Sequence, residues 1–304
     1  DMTPTFASRF TNILRDPLTI AIGASIALLL IGEILSPGFA QGNQIVRLLT
    51  VAAILGIVAA GQNMVVLGGR EGIDLSVGAM ISFGAVLAGN MMNGQDSGIA
   101  LAVVVAAAVP FMIGIINGLG VTFLRIPPLV MTLGMTAVIQ GGLVVYSQGV
   151  PSGATAPMLA QFINRPLVFG IPGILFVWVA IPAIMMFVLR RTAFGFSIYA
   201  IGSNERAATL IGLPVPFIRV MLYGLSGLFA GLAGVGVIGY TGTSFISVGD
   251  QYVLPSIIAV VIGGTSLAGG SGGYLGTMAG AVALTILQSV LITLNLEVWA
   301  RQII

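Results

Sequence analysis

The chain contains no cysteine and no histidine, and because all eleven of its basic residues are arginine it has no lysine either. Without His or Cys there is no Ser-His-Asp or Cys-His nucleophile and no thiolate or imidazole metal site. Without Lys there is neither a Schiff base nor the phosphate-binding lysine of a nucleotide loop. Charge of either sign is scarce: 7% of residues are charged, against about 25% in a soluble domain. The net charge of +2 is too small to point to nucleic acid as a partner. The missing cysteines leave the redox compartment open.

What fills the 304 residues instead is apolar: 57% are hydrophobic and the mean hydropathy is +1.11. The apolar residues come in blocks of roughly 18 to 25, matching the roughly 20 residues a helix needs to cross hydrocarbon. A membrane β-barrel needs alternation of polar and apolar positions, and the run 99–109 alternates nothing. The expected fold is therefore all-α, a polytopic transmembrane helical bundle. Length predicts about nine spans, over 18–36, 48–67, 75–92, 99–124, 128–148, 168–189, 220–240, 253–267 and 274–294. Trp299 to Ile304 reads as the start of a tenth helix, cut short.

Arginine sets the expected orientation, since Arg-rich loops near span ends stay cytoplasmic. The amino-terminal arm, residues 1–17, carries Arg9 and Arg15, and the long break 190–219 holds Arg190, Arg191, Arg206 and Arg219 against one acid, Glu205. Both are expected inside, and the number of spans between them is even, so count and charge agree. Arg125 falls inside and Asp96 outside, while Arg47 is the exception. The connection 149–167, with Pro151, Pro157 and Pro166, becomes a long external one, and 241–252 is external with room for a short helix. The 43 glycines include Gly114 with Gly118, Gly227 with Gly231, and Gly276 with Gly280, the G-x-x-x-G spacing of close helix contacts. These are read as packing faces within one chain rather than a seam between subunits.

Several pattern matches are excluded by context. Gly234, Gly236 and Gly239 fit G-x-G-x-x-G but lie in an apolar span with no strand before them, so no dinucleotide site is expected. Gly269-Gly270-Ser271-Gly272-Gly273 fits the G-x-S-x-G elbow, yet no histidine exists to activate the serine.

Three segments carry information. In Gly68-Gly69-Arg70-Glu71-Gly72-Ile73-Asp74-Leu75-Ser76-Val77-Gly78, a span breaks at paired glycines and a carboxylate and hydroxyl follow. An ionisable group near a membrane segment is a functional candidate, although Asp74 also suits a helix cap or structural lock. The polar stretch 199–214 contains Asn204 as an N-cap, Glu205 and Arg206 in the first turn, the helix formers Ala207 and Ala208, and Gly212 with Pro214 as stops. It predicts a short capped helix suited to a docking groove, or else an ordinary solvated loop helix. The third segment, 257–277, is apolar, broken by glycines, and supplies hydroxyls from Thr265, Ser266, Ser271 and Thr277.

In order along the chain, Gly72-Ile73-Asp74-Leu75-Ser76-Val77-Gly78, Ile116-Asn117-Gly118 with the stretch from Pro127 to Gly134, Ala200 to Pro214, and Val260 to Gly273 resemble the ribose-type permeases of bacterial ATP-binding-cassette importers. That group also serves xylose, arabinose and galactose, and the resemblance runs from about Thr50 to the end. The chain departs from it at Val253-Leu254-Pro255 and at Gln288-Ser289.

The resemblance implies a single permease domain over 18–304, with 190–219 as a cytoplasmic coupling loop and a tenth helix. It implies a multi-pass protein of the bacterial inner membrane that is not itself an enzyme and imports a monosaccharide-like solute by alternating access. Its partners would be cytoplasmic ATPase subunits that bind the ATP and magnesium, a second permease subunit, identical or homologous, and a periplasmic or extracellular solute-binding protein, all in membrane lipid and without nucleic acid. Asn204, Glu205, Arg206, Ala207, Ala208 and Gly212 would couple to the ATPase. Candidates for the solute path are Gln62, Asn63, Asp74, Ser76, Asn117, Thr132, Gln140, Thr265 and Ser266; for each, an interhelical hydrogen bond is an equal alternative. The similar pieces 65–69 and 260–264 point to paired broken helices. Rival readings are a branched-chain amino-acid or nucleoside permease of the same importer class, an ion-coupled secondary transporter using Asp74 and Glu33, and an intramembrane enzyme restricted to carboxylate or hydroxyl chemistry.

Overall fold

The computed structural model describes residues 16–69, 71–150 and 153–294. The amino-terminal arm up to residue 15, Arg70, Pro151, Ser152 and residues 295–304, with the tenth helix expected from Trp299, lie outside the described residues. The described chain is a helical bundle. Its helices are α1 (Pro17–Leu35), α2 (Gly42–Leu67), α3 (Val77–Met92), α4 (Ile99–Thr122), α5 (Pro128–Ser147), α6 (Pro157–Asn164), α7 (Gly173–Arg191), α8 (Ala193–Ser203), α9 (Glu205–Leu210), α10 (Val215–Thr241), α11 (Val253–Ile262) and α12 (Tyr274–Thr293). Among the described residues, seven helices are long and apolar enough to cross a membrane.

Two of the nine expected spans are shorter than hydropathy alone suggests. The span expected over 75–92 is helical from Val77, and that expected over 253–267 stops at Ile262. In both cases the missing residues are turn and loop beside a glycine break, described below. The expected loop 190–219 also contains more helix than the sequence indicated. Thr192 caps α8, its hydroxyl accepting from Gly195 N at 3.2 Å. The connection expected to be external holds α6 and a small antiparallel hairpin, Pro166–Val168 with Ile171–Pro172. The short helix in the other stretch expected outside, 241–252, is a single 3-10 turn, Asp250–Tyr252.

Burial sorts the helices into a centre and a shell. In α2 and α10 most of the hydrophobic window is buried, 67% and 72%, whereas in α1 and α5 the share is 17%. Helices that are apolar all round yet largely uncovered belong against lipid. The exposed side chains Ile20, Ile26, Leu30 and Ile34 of α1 fit that setting.

Close approach at the centre depends on glycine. A Cβ at Gly114 or Gly118 would strike the α10 backbone at Tyr223 or Val220. One at Gly276 or Gly280 would strike Gly263 or Ala259 of α11. All the spaced glycine pairs singled out from sequence thus pack within the chain. The contact between α4 and α10 has a further cause. Pro110 inside α4 has no N–H to offer the carbonyl of Ala106 one turn earlier. Gly231 of α10 lies directly against that carbonyl oxygen, and Gly227 against that of Pro110.

Candidate functional site

The two glycine breaks are built alike. Helix α2 ends as Gly68 N donates to Met64 O (3.2 Å) and Gly69 N to Val66 O (3.0 Å); α11 ends as Gly263 N donates to Ala259 O (3.0 Å) and Gly264 N to Val261 O (2.9 Å). The second glycine of each pair adopts a left-handed conformation, φ +81° and +83°, which a residue with a Cβ disfavours. The similar pieces 65–69 and 260–264 therefore close their helices with the same cap geometry. After each, the chain runs back as a loop before the next helix starts.

Adjacent amides on α2 hold the two loops. The Gln62 amide, oriented to satisfy both of its atoms, pairs with the main-chain N–H and C=O of Asp74 at 3.2 Å each. Next to it, Asn63 Nδ2 donates to Thr265 Oγ1 (2.8 Å) and Thr277 Oγ1 (2.9 Å). Thr265 Oγ1 also accepts from Gly273 N at 3.3 Å. One helical turn thus fixes the loop before α3 on one side and the hairpin before α12 on the other.

The first loop carries the densest polar cluster. Asp74 Oδ1 accepts from Ser76 N (3.0 Å) and Ser76 Oγ (2.6 Å), and Oδ2 accepts from Ser226 Oγ of α10 (2.8 Å). Asn117 Nδ2 of α4 donates to Ser76 Oγ at 2.9 Å. Gln62, Asp74, Ser76, Asn117 and Ser226 are all fully buried, so the cluster ties α2, α3, α4 and α10 together in an apolar surrounding. A buried carboxylate is tolerable only when its oxygens are satisfied in this way. Ser226 was not singled out from the sequence, and Thr277 was noted as a hydroxyl of the segment 257–277 but not as a solute-path candidate. Each is one of several hydroxyls in an apolar helix, and nothing local to either marks the distant partner.

The remaining candidates separate. Thr132 donates to Pro128 O at 2.9 Å, an ordinary bond within α5. Gln140 lies at the end of the bundle opposite α9 and donates to Asp250 Oδ1 at 3.4 Å. Burial pushes the Asp250 carboxyl above its usual range, opposed by that hydrogen bond. Ser266 closes the hairpin turn, its N–H donating to Ser271 O (3.0 Å) and its Oγ accepting from Ala268 N (3.2 Å). Asn63 and Thr265 meet each other, but among the described residues neither hydrogen-bonds to the Asp74 cluster.

At the α9 end, three backbones converge. Gly270 N donates to Leu67 O at 3.0 Å, and Gly202, near the end of α8, is wedged between the same two groups. Tyr199 of α8 donates to Gly272 O at 2.8 Å. The end of α2, the end of α8 and the hairpin before α12 therefore share one glycine junction, immediately before α9.

Helix α9 itself is capped by Asn204, whose Oδ1 accepts from Ala207 N at 3.0 Å. Glu205 does not face outward: it forms an ion pair with Arg219 of α10 at 2.8 Å. Arg206, Ala207 and Thr209 are exposed and Ala208 is buried. Leu210 and Ile211, 81% and 67% exposed, form an apolar tip that the sequence analysis did not single out. Gly212 follows with φ +82°.

The sequence model of a family described as "Branched-chain amino acid transport system / permease component" matches residues 44–304. Among curated proteins, the chain is similar to the ribose import permease protein RbsC of Bacillus subtilis (strain 168), 36% identical over 264 residues, covering 86% of this chain and 81% of that one. It is similar to RbsC of Escherichia coli (strain K12), 34% identical over 286 residues, 92% and 88% of the two chains. It is also similar to the autoinducer 2 import system permease protein LsrC of Escherichia coli O9:H4 (strain HS), 34% identical over 268 residues, 86% and 77% of the two chains. No solved structure matches.

Proposed function

Because the chain belongs to the branched-chain amino acid transport system / permease component family, we propose that it is the membrane-spanning permease subunit of an ATP-driven importer, with a monosaccharide-like polyol as its solute. The observation that carries this reading is a similarity that spans nearly the whole chain and falls on import permeases named for ribose and for autoinducer 2. The family description names branched-chain amino acids, but these relatives favour a hydroxylated solute. The protein is multi-pass, and the bacterial inner membrane is the site that fits its class.

In this reading the α9 end is cytoplasmic, as the arginines of 190–219 require. The exposed face Arg206, Ala207, Thr209 with the tip Leu210 and Ile211 seats in a groove of a partner ATPase subunit, which binds the ATP and magnesium. Glu205 holds the root of that helix to α10 through Arg219. Movement of α9 then reaches the bundle by two routes: along α10 to Ser226 and the Asp74 cluster, and through Gly202 to the junction of both broken segments. Alternating access by rocking of packed helices is the expected consequence. A second permease subunit and a solute-binding protein at the opposite end complete the importer.

An ion-coupled transporter is disfavoured by the state of the acids. Glu33 accepts from Gly38 N (2.9 Å) and Ala40 N (2.7 Å), and Asp74 from three donors in the polar cluster. Both carboxylates are committed to holding loops. The test is competition for uptake of labelled D-ribose by the reconstituted importer. Unlabelled pentoses and hexoses compete if the reading is right; competition by leucine or a nucleoside, with no effect of any sugar, overturns it.

A further inference from the structure

The helix hydroxyls of this chain follow one habit. Thr50, Thr132, Thr136, Thr192, Thr241 and Thr285 each donate to the carbonyl four residues earlier. Among the described residues, the buried hydroxyl of Thr122, the last residue of α4, has no partner, and neither has that of Tyr223 of α10. Tyr223 is only 2% exposed. A buried hydroxyl without a partner costs about 1–3 kcal/mol, so two in one place require an explanation. Both line the same cavity.

That cavity, about 380 Å³, lies at the α9 end between the root of α9 and the first glycine break. This is within the size range of small-molecule sites, roughly 300–1,000 Å³. Its wall includes Glu205 and Arg219, Gly68, Gly69 and Gly72 of the broken segment, and Arg125 beside the α4–α5 turn. The Glu205–Arg219 pair presents a carboxylate and a guanidinium side by side with no net charge of its own. Together with two hydroxyls, each able to donate or accept, this lining suits a ligand that carries several hydroxyls, and Arg125 leaves the wall with one positive charge beyond the pair.

We propose that this cavity is a cytoplasmic-side binding site for a small neutral polyol, the transported solute itself, held by Tyr223, Thr122 and the Glu205–Arg219 pair. The proposal rests on the function given above and adds a site to it. A solute here lies between the root of the coupling helix and the break in α2. Its occupancy props those two elements apart and slows the next cycle, so solute accumulated inside restrains further import.

The test uses the complete importer, permease with its ATPase subunits, in nanodiscs, and measures binding of labelled D-ribose in the absence of the solute-binding protein. Tyr223→Phe and Thr122→Val each remove one hydroxyl with little change of shape. Each is expected to weaken binding about five-fold, the loss of one hydrogen bond of about 1 kcal/mol. Proteoliposomes preloaded with ribose on the ATPase side should import more slowly than empty ones, and Tyr223→Phe should reduce that difference. Three results overturn the site: no saturable binding of pentose or hexose, binding unchanged in both variants, or much tighter binding of ribose 5-phosphate than of ribose. A wild-type importer that takes up ribose normally but gives any of these retains its proposed function and loses only this site. Absence of ATP-driven sugar uptake overturns the function itself.

Discussion

Substituting Asp74 separates a carboxylate that locks the fold from one that touches solute. In Asp74→Ala, three accepted hydrogen bonds disappear. The Ser226 hydroxyl can turn back onto its own helix, as other hydroxyls in the chain do. The Ser76 N–H is fixed by the backbone and is left buried without an acceptor, which costs about 1–3 kcal/mol. The lost bonds to a charged group contribute about 1.5–3 kcal/mol each, partly offset because a buried carboxylate no longer has to be desolvated. The net loss is about 3 kcal/mol. Asp74→Asn keeps a carbonyl oxygen for Ser76 N–H and turns its amide toward the Ser226 hydroxyl, so it should lose only about 1 kcal/mol. Unfolding in SDS can be followed by fluorescence of Trp178, which is 2% exposed and donates to Tyr274 Oη at 3.1 Å; thiol-reactive dyes have no cysteine to report from. Uptake should follow stability, with Asp74→Asn retaining most of it. Equal stability of Asp74→Ala and wild type, or an Asp74→Asn protein as stable as wild type but inactive, would refute the lock.

Other substitutions probe different parts of the account. Glu205→Arg sets two guanidiniums together and should abolish uptake without preventing membrane insertion, while adding Arg219→Glu restores the pair and part of the uptake. Leu210→Asp with Ile211→Asp should leave the permease folded but release the ATPase subunits, as read by co-purification; full retention of the complex would remove α9 as the docking element. Gly231→Val forces side-chain atoms against the Ala106 carbonyl and should destabilise the bundle by at least 1–3 kcal/mol, the usual cost of overpacking, seen as a lower SDS midpoint.

The sequence made the membrane helices legible because hydropathy depends on length and composition alone, and it located α9 because capping is local: Asn204, Glu205 and Gly212 lie within a few residues of one another. Helix α8 was missed because Tyr199 to Ser203 reads as polar loop, while its helicity rests on the Thr192 cap and on burial of Ile198 and Ile201. The short lengths of α3 and α11 were obscured because a turn or loop beside a helix can be as apolar as a helix. The cluster at Asp74 was half visible: Ser76 is two residues away, but Ser226 is 152 positions on and reaches it only because α2 and α10 touch at Gly61. Glu205 was placed among the coupling residues, and only the fold shows that it pairs with Arg219. The orphan hydroxyls of Thr122 and Tyr223 have no sequence signature, since an absent partner is a property of the packing.

The central claim is tested most directly by the energy source of transport. The permease, reconstituted in proteoliposomes with its ATPase subunits and solute-binding protein, should accumulate labelled D-ribose against a gradient when ATP is supplied on the ATPase side, and not when a proton or sodium gradient alone is imposed. Accumulation that persists without ATP and collapses with the ion gradient would contradict the account.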